Sequence, residues 1–155
     1  MTAGPLQRDI KGSASLQAPH RFAIRVYYED TDFSGVVYHA SYLRFLERGR
    51  TEFLRALGIG HRSIFAGADG ESLHFVVRAM SIEFIKPALM DDSLWVETSI
   101  ETLGGASVEM SQAILRDAEP PLIKAKVRIG MASQGKARRI PPLILNKLKG
   151  EASPP

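Results

Sequence analysis

The chain has 155 residues, of which 45% are hydrophobic, 24% are charged and none is cysteine, and its formal net charge is +3. That length fits one domain with a real core, and the lack of cysteine excludes disulfides, thiolate nucleophiles and cysteine-held metals together. No run of about 18 apolar residues occurs, which excludes a spanning helix, and no apolar signal core opens the chain, so a cytoplasmic location is expected.

Residues 1–19 mix Gly, Ser, Ala, Gln and Pro without periodicity, the pattern of a disordered tail. A single domain is expected over 20–150, with a frayed end at 151–155. The segment 22–28 is rich in β-formers and predicts the first strand. It delivers three acids, Glu29, Asp30 and Asp32, into a turn punctuated by Gly35.

From about His39 the pattern changes to intervals of three, four and seven. Tyr42, Phe45, Leu46, Phe53, Leu54 and Leu57 define one face of a long helix, and Gly58 supplies its stop. Gly49 inside that helix costs roughly 0.5–1 kcal/mol relative to Ala, which marks it for a close backbone approach. Arg48 and Glu52 are spaced as an i,i+4 pair. Residues 58–72 contain four glycines and predict a loop with a short helical turn.

Strands follow. Residues 73–86 are apolar on both faces, which predicts cover on both sides, by the long helix and by a second subunit. Residues 94–102 alternate, Gly104-Gly105 signals a hairpin, and 108–116 form the return strand. In the last strand Ile123, Ala125, Val127, Ile129 and Met131 face in, while Lys124, Lys126 and Arg128 face out. An exposed basic segment over 135–142 and a short terminal helix over 143–149 complete the chain. One strand, one long helix and a four-strand antiparallel meander predict an α+β fold, a five-stranded sheet wrapped around the helix. The open edges of such a sheet favour oligomers.

Charge is unevenly spread. Residues 121–150 hold eight Lys or Arg and no acid, so the rest of the chain is net negative. An anionic partner surface and a solvated basic face both fit this third, and cross-strand pairing of its stripe with Glu97, Glu101 or Glu109 is the plainer explanation. Nucleic-acid binding lacks a recognition motif and aromatic interleaving. His20, His61 and His74 show no metal-ligand spacing, so no metal is expected.

The words Arg25-Val-Tyr-Tyr-Glu-Asp-Thr-Asp32, Gly35-Val-Val-Tyr-His-Ala-Ser-Tyr42, Glu47-Arg48 and Phe75-Val-Val-Arg78 carry a resemblance. Over about 21–142 the chain resembles the hotdog-fold acyl-CoA thioesterases, and more narrowly the YbgC branch of the 4-hydroxybenzoyl-CoA thioesterase family. The pair Phe33-Ser34 departs from many relatives in being bulkier. The resemblance implies that Asp32 is the catalytic carboxylate, that His39 offers its backbone N–H to the thioester carbonyl, and that Tyr28 and the His39 imidazole lie near the site. It implies an acyl-CoA substrate, an acyl carrier protein as a possible partner, a homodimer or homotetramer, and a link to the Tol–Pal envelope system. Coenzyme A would enter as part of the substrate, with no separate cofactor, and Arg138 and Arg139 are candidates to hold its phosphates.

The chemistry stands on its own terms. Thioester hydrolysis needs a nucleophile or an activated water, plus donors for the developing oxyanion. No Cys and no Gly-x-Ser-x-Gly elbow is present. A carboxylate beside a helix N-terminus can attack to give a mixed anhydride or act as general base, and both routes stay open. The rival for Asp32 is a simple helix cap, and Asp30 suits a turn-shaping role. Glu47, on the helix, is a second candidate carboxylate, with a Glu47–Arg50 ion pair as its plainer role. A noncatalytic acyl-CoA or acyl-carrier-binding module of the same fold is the alternative function.

Overall fold

The structure is a computed structural model that describes residues 18–60 and 72–150. The expected tail over 1–19 (Ala18 and Pro19 apart), most of the 58–72 loop and the 151–155 end lie outside the described residues. The predicted helix is α1, His39–Ala56. Its apolar spacing becomes a buried face, on which Tyr42, Phe45, Leu46, Phe53 and Leu54 are almost fully enclosed. Full burial of a Leu or Phe side chain is worth about 1.5–3 kcal/mol, so this face holds the helix far more than intrinsic propensity does. The helix stops where Gly58 turns to a φ of +81° and the Ile59 N–H donates to the Leu54 carbonyl. Glu52 pairs with Arg55, three residues on, rather than with Arg48.

Six strands form one antiparallel sheet: β1 (His20–Arg25), β2 (His74–Phe84), β3 (Ser93–Leu103), β4 (Ser107–Leu115), β5 (Ile123–Ser133) and β6 (Lys136–Arg138). Their order is β1-β3-β4-β5-β2, with β6 also on β5. A short helix, α2 (Pro142–Leu148), closes the described chain. The α+β arrangement of a sheet around one long helix is the one expected.

Four details differ from the sequence reading. Strand β1 ends at Arg25, because Tyr28–Asp30 winds into a 3-10 turn. The β3–β4–β5 run is a meander, but β2 crosses to the far edge and pairs with β5. The basic segment after Gly135 folds into β6, and Ile140 beyond it is buried. Finally, α1 packs on β1, β3 and β4 and meets β2 near Phe84, whose ring lies 5.9 Å from that of Tyr42. Among the described residues nothing pairs with the outer edge of β2, and Val77, Phe84 and the adjoining Ile85 are each about half exposed.

The inward row of β3 (Leu94, Val96, Thr98, Ile100) and that of β5 are buried as the alternation predicts. Outward, Lys126 pairs with Glu101 at 3.4 Å and Arg21 with Glu97 at 3.4 Å. Arg128 stands opposite Glu109, and Lys124 opposite Glu83. The basic stripe is thus laced by cross-strand acids.

Two apolar clusters fill the space between helix and sheet, one around Phe45, Leu46 and Val96, the other around Phe53, Ile100 and Met110. A polar row lies between them. Gln112 Nε2 donates to the Leu46 carbonyl and to Thr98 Oγ1, both at 2.9 Å, and its Oε1 accepts from Arg50 at 3.0 Å. Burial lowers the pKa of Arg50, opposed in part by Glu47.

Gly49 is where the helix touches the sheet. A Cβ there would lie 2.4 Å from Val96 Cγ1, and Val96 is fully buried. We predict that Gly49→Ala destabilises the protein by about 1–3 kcal/mol through overpacking, outweighing the roughly 1 kcal/mol gained in helix propensity. Urea unfolding of the two proteins measures this; a stabilised variant would contradict it.

Candidate active site

The chain between β1 and α1 doubles back on itself. Thr31 bridges Val37, the Asp32 N–H donates to the Val36 carbonyl at 2.9 Å, and the Tyr38 N–H donates to the Asp30 carbonyl at 2.9 Å. Gly35 makes the reversal at a φ of +83°, where an L side chain is strained. Asp32 is thereby carried back alongside Val36, three residues before α1 begins.

The two aspartates take different roles. Asp30 is buried, and its Oδ2 accepts the Tyr27 N–H at 2.9 Å, which closes the 3-10 turn. Asp32 is exposed. Its Oδ1 accepts both the Ser34 hydroxyl at 2.6 Å and the Ser34 N–H at 2.8 Å. Those bonds, the hydroxyl first, hold the Asp32 carboxyl below the ordinary aspartate range. No donor among the described residues meets Oδ2.

Helix α1 starts without a cap from its N-cap residue, Tyr38, and no side chain among the described residues bonds to the first-turn amides. Capping, the plain alternative for Asp32, is therefore not its role. The first-turn N–H groups have no partner one turn back within the helix and carry the positive end of its dipole; the Ser41 N–H turns to the Tyr38 carbonyl at 2.8 Å. His39 is the first helical residue, with an exposed side chain whose ring lies 4.4 Å from Tyr38 and 6.3 Å from Phe84. An apolar cavity of about 220 Å³ opens beside it, walled by Val37, Tyr42, Phe84, Ile85, Pro87 and Ile123. At its inner wall the Tyr42 hydroxyl accepts the Ala88 N–H at 2.9 Å, and burial raises the pKa of that phenol.

The turn rests on a braced platform. Val37 N–H donates to Ala88, Met90 N–H to Gly35, and Val36 bridges Leu89. Arg116 secures the far side of this segment, bonding Asp92 at 2.7 Å and Glu119 at 2.6 Å.

Of the other expected site residues, Tyr28 stands on the acid turn itself, and Glu47, Arg138 and Arg139 lie apart from it. Tyr28 is 83% exposed, and its recorded bonds run through its carbonyl, to Thr31. Glu47 is exposed two turns along α1, beside Phe22 and Arg44, while Arg50 turns inward to Gln112. Arg138 is paired with Met131 at the far end of β5, and the Arg139 guanidinium lies against Gly105 at the β3–β4 tip. The start of α1 faces Ile123 and Phe84, at the opposite end, through the cavity that Val37 and His39 line with them. The eight residue steps from Ile123 to Met131 span about 26 Å at roughly 3.3 Å per residue, so one chain does not bring Arg138 and Arg139 to Asp32.

Ser34 is the residue at this site that sequence reasoning missed. Its signal is the Asp-x-Ser spacing in a turn, where a hydroxyl two residues on can reach the carboxylate. If those bonds set the ionisation of Asp32, Ser34→Ala moves its carboxyl titration upward, toward the ordinary aspartate value. A carboxyl-carbon NMR titration of both proteins measures the midpoint, and an unchanged midpoint would contradict the assignment.

The chain as a whole is similar to known thioesterases. The family model for the thioesterase superfamily matches residues 34–121. Acyl-CoA thioesterase YbgC of Haemophilus influenzae is 40% identical over 119 residues, covering 77% of this chain and 85% of that protein. Acyl-CoA thioester hydrolase YbgC of Escherichia coli O6:H1 is 40% identical over 131 residues, covering 83% of this chain and 95% of that protein. A crystal structure titled "Probable Thioesterase from Bartonella henselae" superposes with a TM-score of 0.76 at 51% identity, covering 80% of this chain and 100% of that one.

Proposed function

Because the chain belongs to the thioesterase superfamily, in its YbgC-like branch, and is an acyl-CoA thioesterase, we propose that Asp32 drives the hydrolysis at the start of α1. The observation that carries this reading is a helix N-terminus without a cap from its N-cap residue, preceded on the same fold-back by a carboxylate whose Oδ2 meets no donor among the described residues. The thioester carbonyl oxygen would accept the His39 N–H, where the helix dipole stabilises the developing oxyanion. Asp32 then has two routes. It attacks the carbonyl carbon, expels the coenzyme A thiolate and leaves a mixed anhydride for water to cleave. Alternatively, it takes a proton from water as that water attacks. The His39 imidazole, at the mouth of the apolar cavity, orients the substrate. Tyr28 serves at the rim of the acid turn. Coenzyme A is part of the substrate, and the reaction as drawn uses no separate cofactor.

The outer β2 edge favours a dimer that continues the sheet; a cytoplasmic location and acyl carrier protein as a second thioester source belong to the same reading. A two-fold axis across this edge runs the second copy's β2 in the opposite sense. Its His74 end then lies near the first copy's Phe84, beside His39, while β6 sits on the edge of β5 that faces away from β2. Arg138 and Arg139 of one copy, two strands in from that edge but at the same end of the sheet, would serve the Asp32 site of the other as phosphate-binding cations.

Thiol release from short aliphatic, long aliphatic and aromatic acyl-CoAs tests the activity. Asp32→Asn should lose about 10²–10⁴-fold in turnover, the range for a lost acid–base group, while calorimetry shows retained ligand binding. Substantial turnover by Asp32→Asn would overturn the role of Asp32. Absence of turnover by the wild type on every ester, with binding intact, would favour the noncatalytic acyl-CoA-binding module.

The shared-site reading has its own test. Asp32→Asn chains and Arg138→Ala/Arg139→Ala chains, each impaired alone, should recover activity when unfolded together and refolded as mixed dimers. No recovery would place the phosphate-binding residues elsewhere.

A further inference from the structure

We infer that Ser34 is a positioning residue for the hydrolysis: its hydroxyl and N–H converge on Oδ1 of Asp32, and so leave Oδ2 as the reacting oxygen. The inference rests on the reading that Asp32 drives the chemistry.

The geometry is specific. Asp32 is an exposed side chain on a turn, where a carboxylate left alone samples several rotamers and offers either oxygen. Here one oxygen takes two donors, at 2.6 and 2.8 Å, and the other takes none from the described residues. The backbone on either side is held as well: the Asp32 N–H bonds to Val36, and the Gly35 N–H bonds to the Asp32 carbonyl at 3.2 Å. With the main chain fixed, the Ser34 hydroxyl removes the remaining torsional freedom of the carboxylate. A turn alone needs only the N–H bond; the hydroxyl bond is an addition made by this side chain. Charge-assisted bonds to a carboxylate are also the stronger kind, and a reacting group gains rate from being held in one attack geometry.

The consequence for the enzyme is a division between the two carboxylate oxygens. Oδ1 is an anchor. Oδ2 attacks the carbonyl carbon or accepts the proton of water, and the pair of bonds on Oδ1 turns with neither event. Substrate affinity, set by the apolar cavity and by the groups that hold coenzyme A, does not depend on Ser34.

Steady-state kinetics of Ser34→Ala, Ser34→Thr and Asp32→Asn test this together. Ser34→Ala keeps the backbone N–H bond and touches no core residue, so its fold is retained, which circular dichroism verifies. Its kcat should fall about tenfold with KM nearly unchanged, within the scale of losses from misplacing a reacting group. Ser34→Thr, which restores a hydroxyl, should return most of that kcat. If Asp32→Asn is inactive but Ser34→Ala keeps full kcat, the positioning role fails and the role of Asp32 stands. Equal losses in Ser34→Ala and Ser34→Thr would assign the effect to turn shape and overturn the hydroxyl's role. An active Asp32→Asn would overturn both readings.

Discussion

The helix of this protein lies as close to its sheet as it does because position 49 has no side chain. Val96 Cγ1 occupies the space that a Cβ at Gly49 would need. This contact sets the depth of α1 against β3, and the other contacts along the helix follow from it. Toward the N-terminal end, Tyr42, Phe45 and Leu46 enter one apolar cluster; toward the C-terminal end, Phe53 and Leu54 enter the other. Between them the Leu46 carbonyl comes within reach of Gln112, which also ties in Thr98 and Arg50. A helix held at that depth has a fixed starting point.

That starting point is what the site uses. The acid turn folds back by two backbone hydrogen bonds onto the residues just before α1, and it rests on the 88–92 segment that Arg116 braces through Asp92. Asp30 is consumed in shaping the turn. Asp32 is kept out of the helix cap and held by Ser34. The same end of the molecule presents the helix dipole, the apolar cavity and a carboxylate. A carbonyl undergoing acyl transfer requires such a set: a donor for the oxyanion, a place for the acyl group and a base or nucleophile. Membership in the thioesterase superfamily gives that set its chemistry.

Much of this was legible in the residues because it is local. The 3.6-residue spacing located α1, strict alternation located β3 and β5, Gly104-Gly105 marked the hairpin, and the misfit of Gly49 in a helix announced the close approach. The place of β2 was not legible. Its apolar run says that it is covered, but pairing with β5 rather than β3 is a long-range choice that a run of hydrophobic residues does not encode. Strand β6 was missed because three residues in a basic segment carry no period. The separation of Arg138 and Arg139 from Asp32 follows from that same topology, which sets the two ends of β5 apart. Ser34 was overlooked for another reason: motif matching treats its position as variable, and only side-chain geometry shows the hydroxyl directed at Asp32.

The central claim is that thioester chemistry takes place between Asp32 and the first amide of α1. A crystal structure of the Asp32→Asn protein with an unhydrolysed acyl-CoA tests it most directly. The account predicts the thioester carbonyl oxygen about 2.7–3.1 Å from the His39 nitrogen, as oxyanion-hole donors require, with the carbonyl carbon facing the side chain at position 32. A thioester seated away from the start of α1, or a carbonyl turned from that amide, would contradict it.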